Sequence, residues 1–366
     1  MKWNWQLPGW GEFRYDAQLL RPLEDQFLAA SGRWQGTWTH MPEEERNHLR
    51  IEMMSQEAIQ TSRIEGELLD RESVQASIRR LLGLPTQPAR LKPREYGIAE
   101  LTVSVYETYA QPLTHEQLYD WHRMLTQGRR DLNDIGTYRT HPEPMQILSG
   151  PLERPLVHFE APPSIQVPQE MATFLTWFNR SQTQGPDRLP ALARAGLAHL
   201  YFESIHPFED GNGRIGRAIV EKVLSQAQGA PSLIMVADEI QRRQKAYYQA
   251  LERASQSNDV DDWLGWFAQV IVDAQAHTQA ALDLLLHQTK LLNRWGDQLH
   301  QRQVEVLKRL FRAGPQGFEG GLSAKNYQRI TQASPATVTR DLADLVDKKI
   351  LRREGARKGT RYYLVM

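Results

Sequence analysis

Just past the middle of the chain, the backbone has to turn a glycine-rich corner between two helices. That corner constrains the fold more than any other feature. It reads His206-Pro-Phe-Glu-Asp-Gly-Asn-Gly-Arg-Ile-Gly-Arg217. Helical spacing of apolar residues runs through Leu189–Ile205 and stops there; a second helix begins near Arg214 and reaches about Gln228. Gly211 and Gly213 let the backbone take positive φ and approach a ligand closely. Backbone N–H groups converging at a helix N-terminus make an anion site suited to phosphate. Arg214 and Arg217, three residues apart, share the helix face beside that site. Each charge-assisted guanidinium–phosphate bond contributes about 1.5–3 kcal/mol. Asp210 is a hard oxygen ligand of the kind Mg²⁺ takes alongside substrate phosphates, and His206 can accept a proton near neutral pH. Taken singly, such a histidine is more often a cap, Asp-Gly a turn and the arginines a solvated face. Together at fixed spacing they supply the parts of phosphoryl-type transfer: base, metal ligand, anion cradle and two cations.

The segment resembles the Fic motif, His-x-Phe-x-(Asp/Glu)-Gly-Asn-Gly-Arg-x-x-Arg, at every defined position. The resemblance implies Mg²⁺-dependent transfer of AMP from ATP to a Ser, Thr or Tyr hydroxyl of a protein target, and of the chain itself. It assigns His206 to deprotonating that hydroxyl and Asp210 to the metal. Gly211, Asn212 and Gly213 would form the anion hole, Arg214 would serve the inner phosphates and Arg217 the γ-phosphate. Phe208 would anchor the loop. Upstream, Thr61-Ser-Arg-Ile-Glu65-Gly66 is similar to the family's inhibitory motif, (Ser/Thr)-x-x-x-Glu-(Gly/Asn). Thr61 and Glu65, four apart, share a helix face, and the family mechanism sets that glutamate against the second motif arginine, here Arg217. Residues 141–163 resemble the family's flap, which pairs with an extended target segment; Ile147, Leu148, Val157, His158 and Phe159 are its candidate docking residues.

The rest of the chain frames this core. A length of 366 residues allows two or three domains. The formal net charge is zero, so any nucleic-acid role needs a local patch. Cysteine is absent, which removes disulfides, thiolate catalysis and cysteine metal sites. The first residues show no secretory pattern and no apolar run is long enough to span a bilayer, so a cytoplasmic protein with no membrane partner is expected.

The expected fold is mainly α: a helical Fic core with a short β-hairpin flap and a C-terminal winged helix-turn-helix. The expected division is 1–90 for an N-terminal extension and inhibitory segment, and 91–230 for the core. Residues 231–299 would form its C-terminal helices and 300–366 the winged helix. The first forty residues, rich in Trp, Gly and Pro, read as an irregular segment around a short helix; they resemble extensions seen in a subset of the family. Helices are expected over Pro42–Gly66, from the cap Asp70 to Gly83, and over Gln301–Arg312, Ser323–Ile330 and Pro335–Lys348. Arg352, Arg353, Arg357, Lys358 and Arg361 crowd the wing, with Thr337, Thr339 and Arg340 facing outward. DNA is therefore a candidate partner of residues 300–366. Helix acids Asp341, Asp344 and Asp347 dilute that field. A homodimer is a candidate assembly. Two alternatives stand beside AMP transfer. One is a de-AMPylase or a transferase for another nucleotide; the other is a DNA-binding regulator whose core senses nucleotide.

Overall fold

Apolar residues at helical spacing produce helices along most of the chain. The computed structural model describes residues 2–86, 92–150, 155–313, 318 and 320–365; Pro88, Pro151 and part of the glycine-rich turn after Arg312 fall outside them. The chain forms two units: Met1–His40 with Arg50–Ala276, and Met41–Leu49 with His277–Met366.

In the first unit, α1 (Ala17–Thr39), α2 (Glu43–Ile64), α3 (Arg71–Leu81), α4 (Pro93–Thr108) and α5 (His115–Leu125) precede a hairpin of β1 (Gln146–Ser149) and β2 (Leu156–Glu160). Then come α6 (Val167–Arg180), α7 (Ala191–Ile205), α8 (Asn212–Gln228), α9 (Val236–Arg242), α10 (Gln244–Ala254) and α11 (Asp261–Trp295). α2 and α11 each contribute residues to both units. α7 is buried on nearly every face, as a helix at the centre of a core must be. α8 packs directly against it, burying Ile215, Ile219, Val220, Val223 and Leu224. The corner from His206 to Gly211 is thus clamped between two core helices. The hairpin is antiparallel, pairing Gln146 with Glu160, Ile147 with Phe159 and Ser149 with Leu156, with an irregularity after Ile147.

The first forty residues depart from expectation, because α1 spans 23 of them. Asp16 caps it by accepting from the Gln18 N–H. Its buried stripe is Leu20, Glu24, Phe27, Ser31 and Trp34, a helical period in which two polar members hide the apolar signal. Glu24 is inward because its carboxylate accepts from the Leu192 and Ala193 N–H groups at 2.7 and 3.1 Å, capping α7. Asp70 caps α3 through the Ser73 N–H.

The second unit contains α12 (Gln301–Arg312), α13 (Ala324–Thr331), α14 (Pro335–Asp347), β3 (Leu351–Glu354) and β4 (Arg361–Leu364), the last two antiparallel. Val306, Leu307, Leu310, Tyr327, Leu342 and Leu345 form its core. Pro335 occupies the first turn of α14 behind the Ser334 cap. Thr339 and Arg340 are exposed and Thr337 is half-buried. Asp341 is not a surface acid: it is buried, accepts from Arg302 Nε at 2.6 Å and from the Tyr327 hydroxyl at 3.0 Å.

Candidate active site

The α7–α8 corner places the histidine by backbone geometry. His206 ends α7 in the left-handed region, φ 50° and ψ 61°, a conformation that costs a non-glycine residue about 1–3 kcal/mol unless its surroundings enforce it. Arg139 supplies that enforcement. It is almost wholly buried, and its Nε donates to the His206 carbonyl at 2.8 Å. Its Nη1 and Nη2 hold Ser164 Oγ and the Pro162 carbonyl. Burial pushes the His206 imidazole down to about 4, and the nearby Arg139 charge adds to the effect. The ring is therefore neutral at physiological pH and able to take a proton. Glu203, one turn earlier on α7, lies 3.9 Å from its Nδ1. Burial pushes the Glu203 carboxyl up to about 8, with Arg217 opposing and Glu65 reinforcing the shift.

The loop closes on its own side chains. Asn212 Oδ1 accepts from the Phe208 N–H at 2.9 Å and its Nδ2 donates to the Phe208 carbonyl at 2.8 Å. The Asn212 amide is thus a staple, leaving its backbone for an anion. Phe208 is fully buried and stacks on His122 at 4.4 Å. Gly211 has φ +85°, as expected, and caps α8 without a side-chain hydrogen bond. The first N–H groups of α8 have no acceptor within the helix. Gly213 differs from expectation: it is helical, and its role is close approach. A Cβ there would come within 2.3 Å of Glu65 Oε1.

Both motif arginines are covered by carboxylates from one distant segment. Arg217, 2 % exposed, donates from Nη2 to Glu65 Oε1 at 2.6 Å and to the Thr61 carbonyl at 3.0 Å; its Nε donates to Thr61 Oγ1 at 2.7 Å. Burial works against its charge, but Glu65 more than compensates and holds the guanidinium protonated. Gly66 follows at φ +81°, a turn that side chains resist. Beyond it, Glu67 Oε2 meets Arg214 Nη1 at 2.9 Å. Asp210 faces Arg214 Nη2 at 3.4 Å and Arg129 Nη1 at 2.5 Å. Burial opposes its ionisation, yet Arg214, Arg129 and the Gly211 N–H hold its carboxyl below the usual range.

A cavity of about 680 Å³ opens beside the loop, lined by Glu65, His206, Gly213, Tyr248, Ser149 and Phe159 among others. The hairpin forms one wall. Ile147, Leu148 and Val157 are exposed, whereas Phe159 is buried against Trp3. His158 bonds Ser149 Oγ through Nε2 at 2.6 Å and faces Glu252 at 3.2 Å. Among the described residues no cluster of three or more His, Asp or Glu could cage a metal. Asp210 alone beside an anion cradle fits a Mg²⁺ shared with phosphate oxygens. Glu67, Arg129, Arg139 and Glu203 join the site unannounced by any motif.

Fold and loop together define a helical protein whose loop-borne cationic pair is held by internal carboxylates. Residues 112–224 match the model of the Fic/DOC family, and residues 3–84 match a domain of unknown function, DUF4172. A probable protein adenylyltransferase of Aquifex aeolicus is 32 % identical over 98 residues, 27 % of each chain. The protein adenylyltransferase Fic of Drosophila grimshawi is 29 % identical over 165 residues, covering 45 % of this chain and 28 % of that one. The chain thus spans about a quarter of the length of the curated relatives it matches. A crystal structure of a Fic family protein from Desulfovibrio desulfuricans aligns with TM-score 0.51 at 23 % identity, over 94 % of this chain and 96 % of that one. A Fic domain-containing signalling protein from Bacteroides thetaiotaomicron aligns with TM-score 0.52 at 18 % identity, over 71 % and 98 %. Residues 112–224 thus carry a domain of the Fic/DOC type. No helix among the described residues is long and apolar enough to cross a membrane.

Proposed function

We propose that the chain is a protein adenylyltransferase that moves AMP from ATP onto a Ser, Thr or Tyr hydroxyl and is autoinhibited by its own 61–67 segment. The observation that carries this reading is a half-buried His206, its imidazole pushed down by its surroundings, beside an α8 N-terminus flanked by Arg214 and Arg217. His206 takes the acceptor's proton. The acceptor oxygen then forms a bond to the α-phosphorus as the bond to the β-phosphate oxygen breaks and pyrophosphate leaves. Arg214 and the α8 N-terminus stabilise charge on the inner phosphates, the type of preorganised electrostatics that dominates such reactions. Asp210 would hold Mg²⁺, which supplies charge neutralisation when bound. The exposed Ile147, Leu148 and Val157 would receive an extended target segment. Zero cysteine supports a cytoplasmic setting.

Glu65 occupies Arg217 as a phosphate oxygen would. The productive γ-phosphate position would thereby be closed, while Glu67 stands on Arg214, the residue given to the inner phosphates. The test is wild type and Glu65→Gly incubated with Mg²⁺ and α- or γ-labelled ATP, read by gel and intact mass. Label from the α position alone, with a mass gain of one AMP and more of it in the variant, supports the reading. Absence of label in both, with ATP bound, turns it toward de-AMPylation or another nucleotide.

A second reading concerns residues 300–366, which we propose form a winged helix that contacts duplex DNA. The exposed Arg340, Arg352 and Arg353 favour it. Duplex affinity that falls steeply with salt would support phosphate contacts; a flat response would remove them.

A further inference from the structure

The first ten residues take no part in the chemistry above, yet they touch three elements that build the cavity. A short 3-10 turn, Asn4–Gln6, follows Trp3. Trp3 is 7 % exposed, and its ring meets Phe159 of β2 edge-on, with centroids 5.4 Å apart. Trp5 Nε1 donates to the Glu160 carbonyl of the same strand at 2.7 Å. Between them Asn4 is wholly buried. Its Nδ2 donates to Ser204 Oγ at 2.8 Å, two residues before His206, and its backbone N–H donates to the Ser255 carbonyl beyond α10 at 2.6 Å. Its Oδ1 accepts from the Trp5 N–H at 2.8 Å. Phe159, Ser204 and Ser255 line the cavity, whereas Trp3, Asn4 and Trp5 do not.

A two-stranded hairpin is marginal in water by itself. The order of β1 and β2 must therefore come from outside the hairpin, and Trp3, Trp5 and Met145 close a small separate core at its base. A fully buried amide with its donor and acceptor both used has one orientation only, because displacing it strands polar groups. Asn4 thereby ties the hairpin to the helix that carries the base.

We infer that Trp3, Asn4 and Trp5 are positioning residues that fix the hairpin at a set distance from His206, so that an acceptor lying along the hairpin meets the base. This rests on the flap reading given under Proposed function. A purely folding role would loosen the whole unit when disturbed; a positioning role loosens the hairpin first.

The experiment compares Trp3→Ala, Trp3→Phe and Trp5→Phe in the full chain, each alongside a parent carrying Glu65→Gly. Amide exchange at residues 146–149 and 156–160 rises about tenfold or more in Trp3→Ala, because the opening is local. Trp5→Phe keeps an aromatic ring, though a smaller one, and loses the N–H donor, and gives a smaller rise in the same amides. Trp3→Phe, which retains an aromatic edge, restores protection. Exchange in α7 and α8 and the affinity for ATP stay as in the parent, while label transferred from α-labelled ATP to protein falls in step with hairpin protection. Unchanged hairpin exchange, or an equal rise across α7 and α8, overturns the inference. A parent that transfers no label defeats the transferase reading, and the exchange comparison still decides the role of the segment.

Discussion

Glu67 Oε2 lies 2.9 Å from Arg214 Nη1, and only two residues earlier Glu65 Oε1 lies 2.6 Å from Arg217 Nη2. Gly66, at φ +81°, is the hinge between the two contacts. One turn of chain thus covers both arginines of the motif.

Removing the first carboxylate frees Arg217. Breaking one charge-assisted contact of about 1.5–3 kcal/mol corresponds to roughly ten- to hundredfold. Glu65→Gly is expected to raise AMP transfer from labelled ATP by that order. Equal initial rates in variant and wild type would show that Glu65 is no brake.

Glu67→Gln keeps the shape of the side chain and removes its charge. In the Glu65→Gly background it is expected to tighten ATP binding about three- to tenfold, since Arg214 no longer exchanges one anion for another. Titration calorimetry reads the change. Identical affinities in the two proteins would assign Arg214 a structural ion pair only.

His206→Ala is expected to lower transfer by about 10²–10⁴, the usual contribution of a general base, while ATP affinity changes little. The pH profile gives an independent check. Burial pushes the imidazole down to about 4, so the basic form persists through mildly acidic pH. The rate should stay level from neutrality to about pH 5 and fall only toward pH 4. A fall centred near 6.5 would mean that the imidazole is not held neutral by its surroundings.

Stability should have its own pH signature. Burial pushes the Glu57 carboxyl up to about 8 and the Glu221 carboxyl up to about 7, from an ordinary 4.5. A raised value means the folded chain holds more protons than the unfolded one across that window. The contribution of these two carboxyls is therefore full below about 4.5 and is lost as pH rises through 7 and 8. Burial moves His199 and His206 the other way, to about 3 and 4; that effect is confined below about 6.5. Between pH 6.5 and 8.5 the melting temperature should decline, and Glu57→Gln should flatten the decline. A level melting curve across this range in wild type would contradict the raised carboxyls.

What the sequence made legible was local. The corner from His206 to Arg217 lies within one loop and one helical turn, so spacing alone brought His206, Asp210 and the two arginines to one place. Thr61 and Glu65 were legible through resemblance, four residues apart on α2. Arg129, Arg139 and Glu67 were not, because each reaches the site from a remote stretch where a lone Arg or Glu carries no periodic signal. Gly213 was read as a positive-φ hinge, but its need is space for Glu65. α1 was obscured by Glu24 and Ser31, polar residues on its buried face that serve α7 and α11. Asp341 was counted as surface charge, although its partner Arg302 lies on another helix.

The tethering of Glu65 and Glu67 has a practical side at the bench. A competitor joined to its own binding site by the chain cannot be dialysed away, and dilution leaves its local concentration untouched. With Arg217 only 2 % exposed and Arg214 5 %, added salt screens the contacts poorly. Under the autoinhibited reading proposed above, purified wild-type protein would therefore reach every assay already inhibited, whatever the buffer. On that reading a silent preparation would report a resting state, and a single glycine at position 65 would be the control that tells resting from dead.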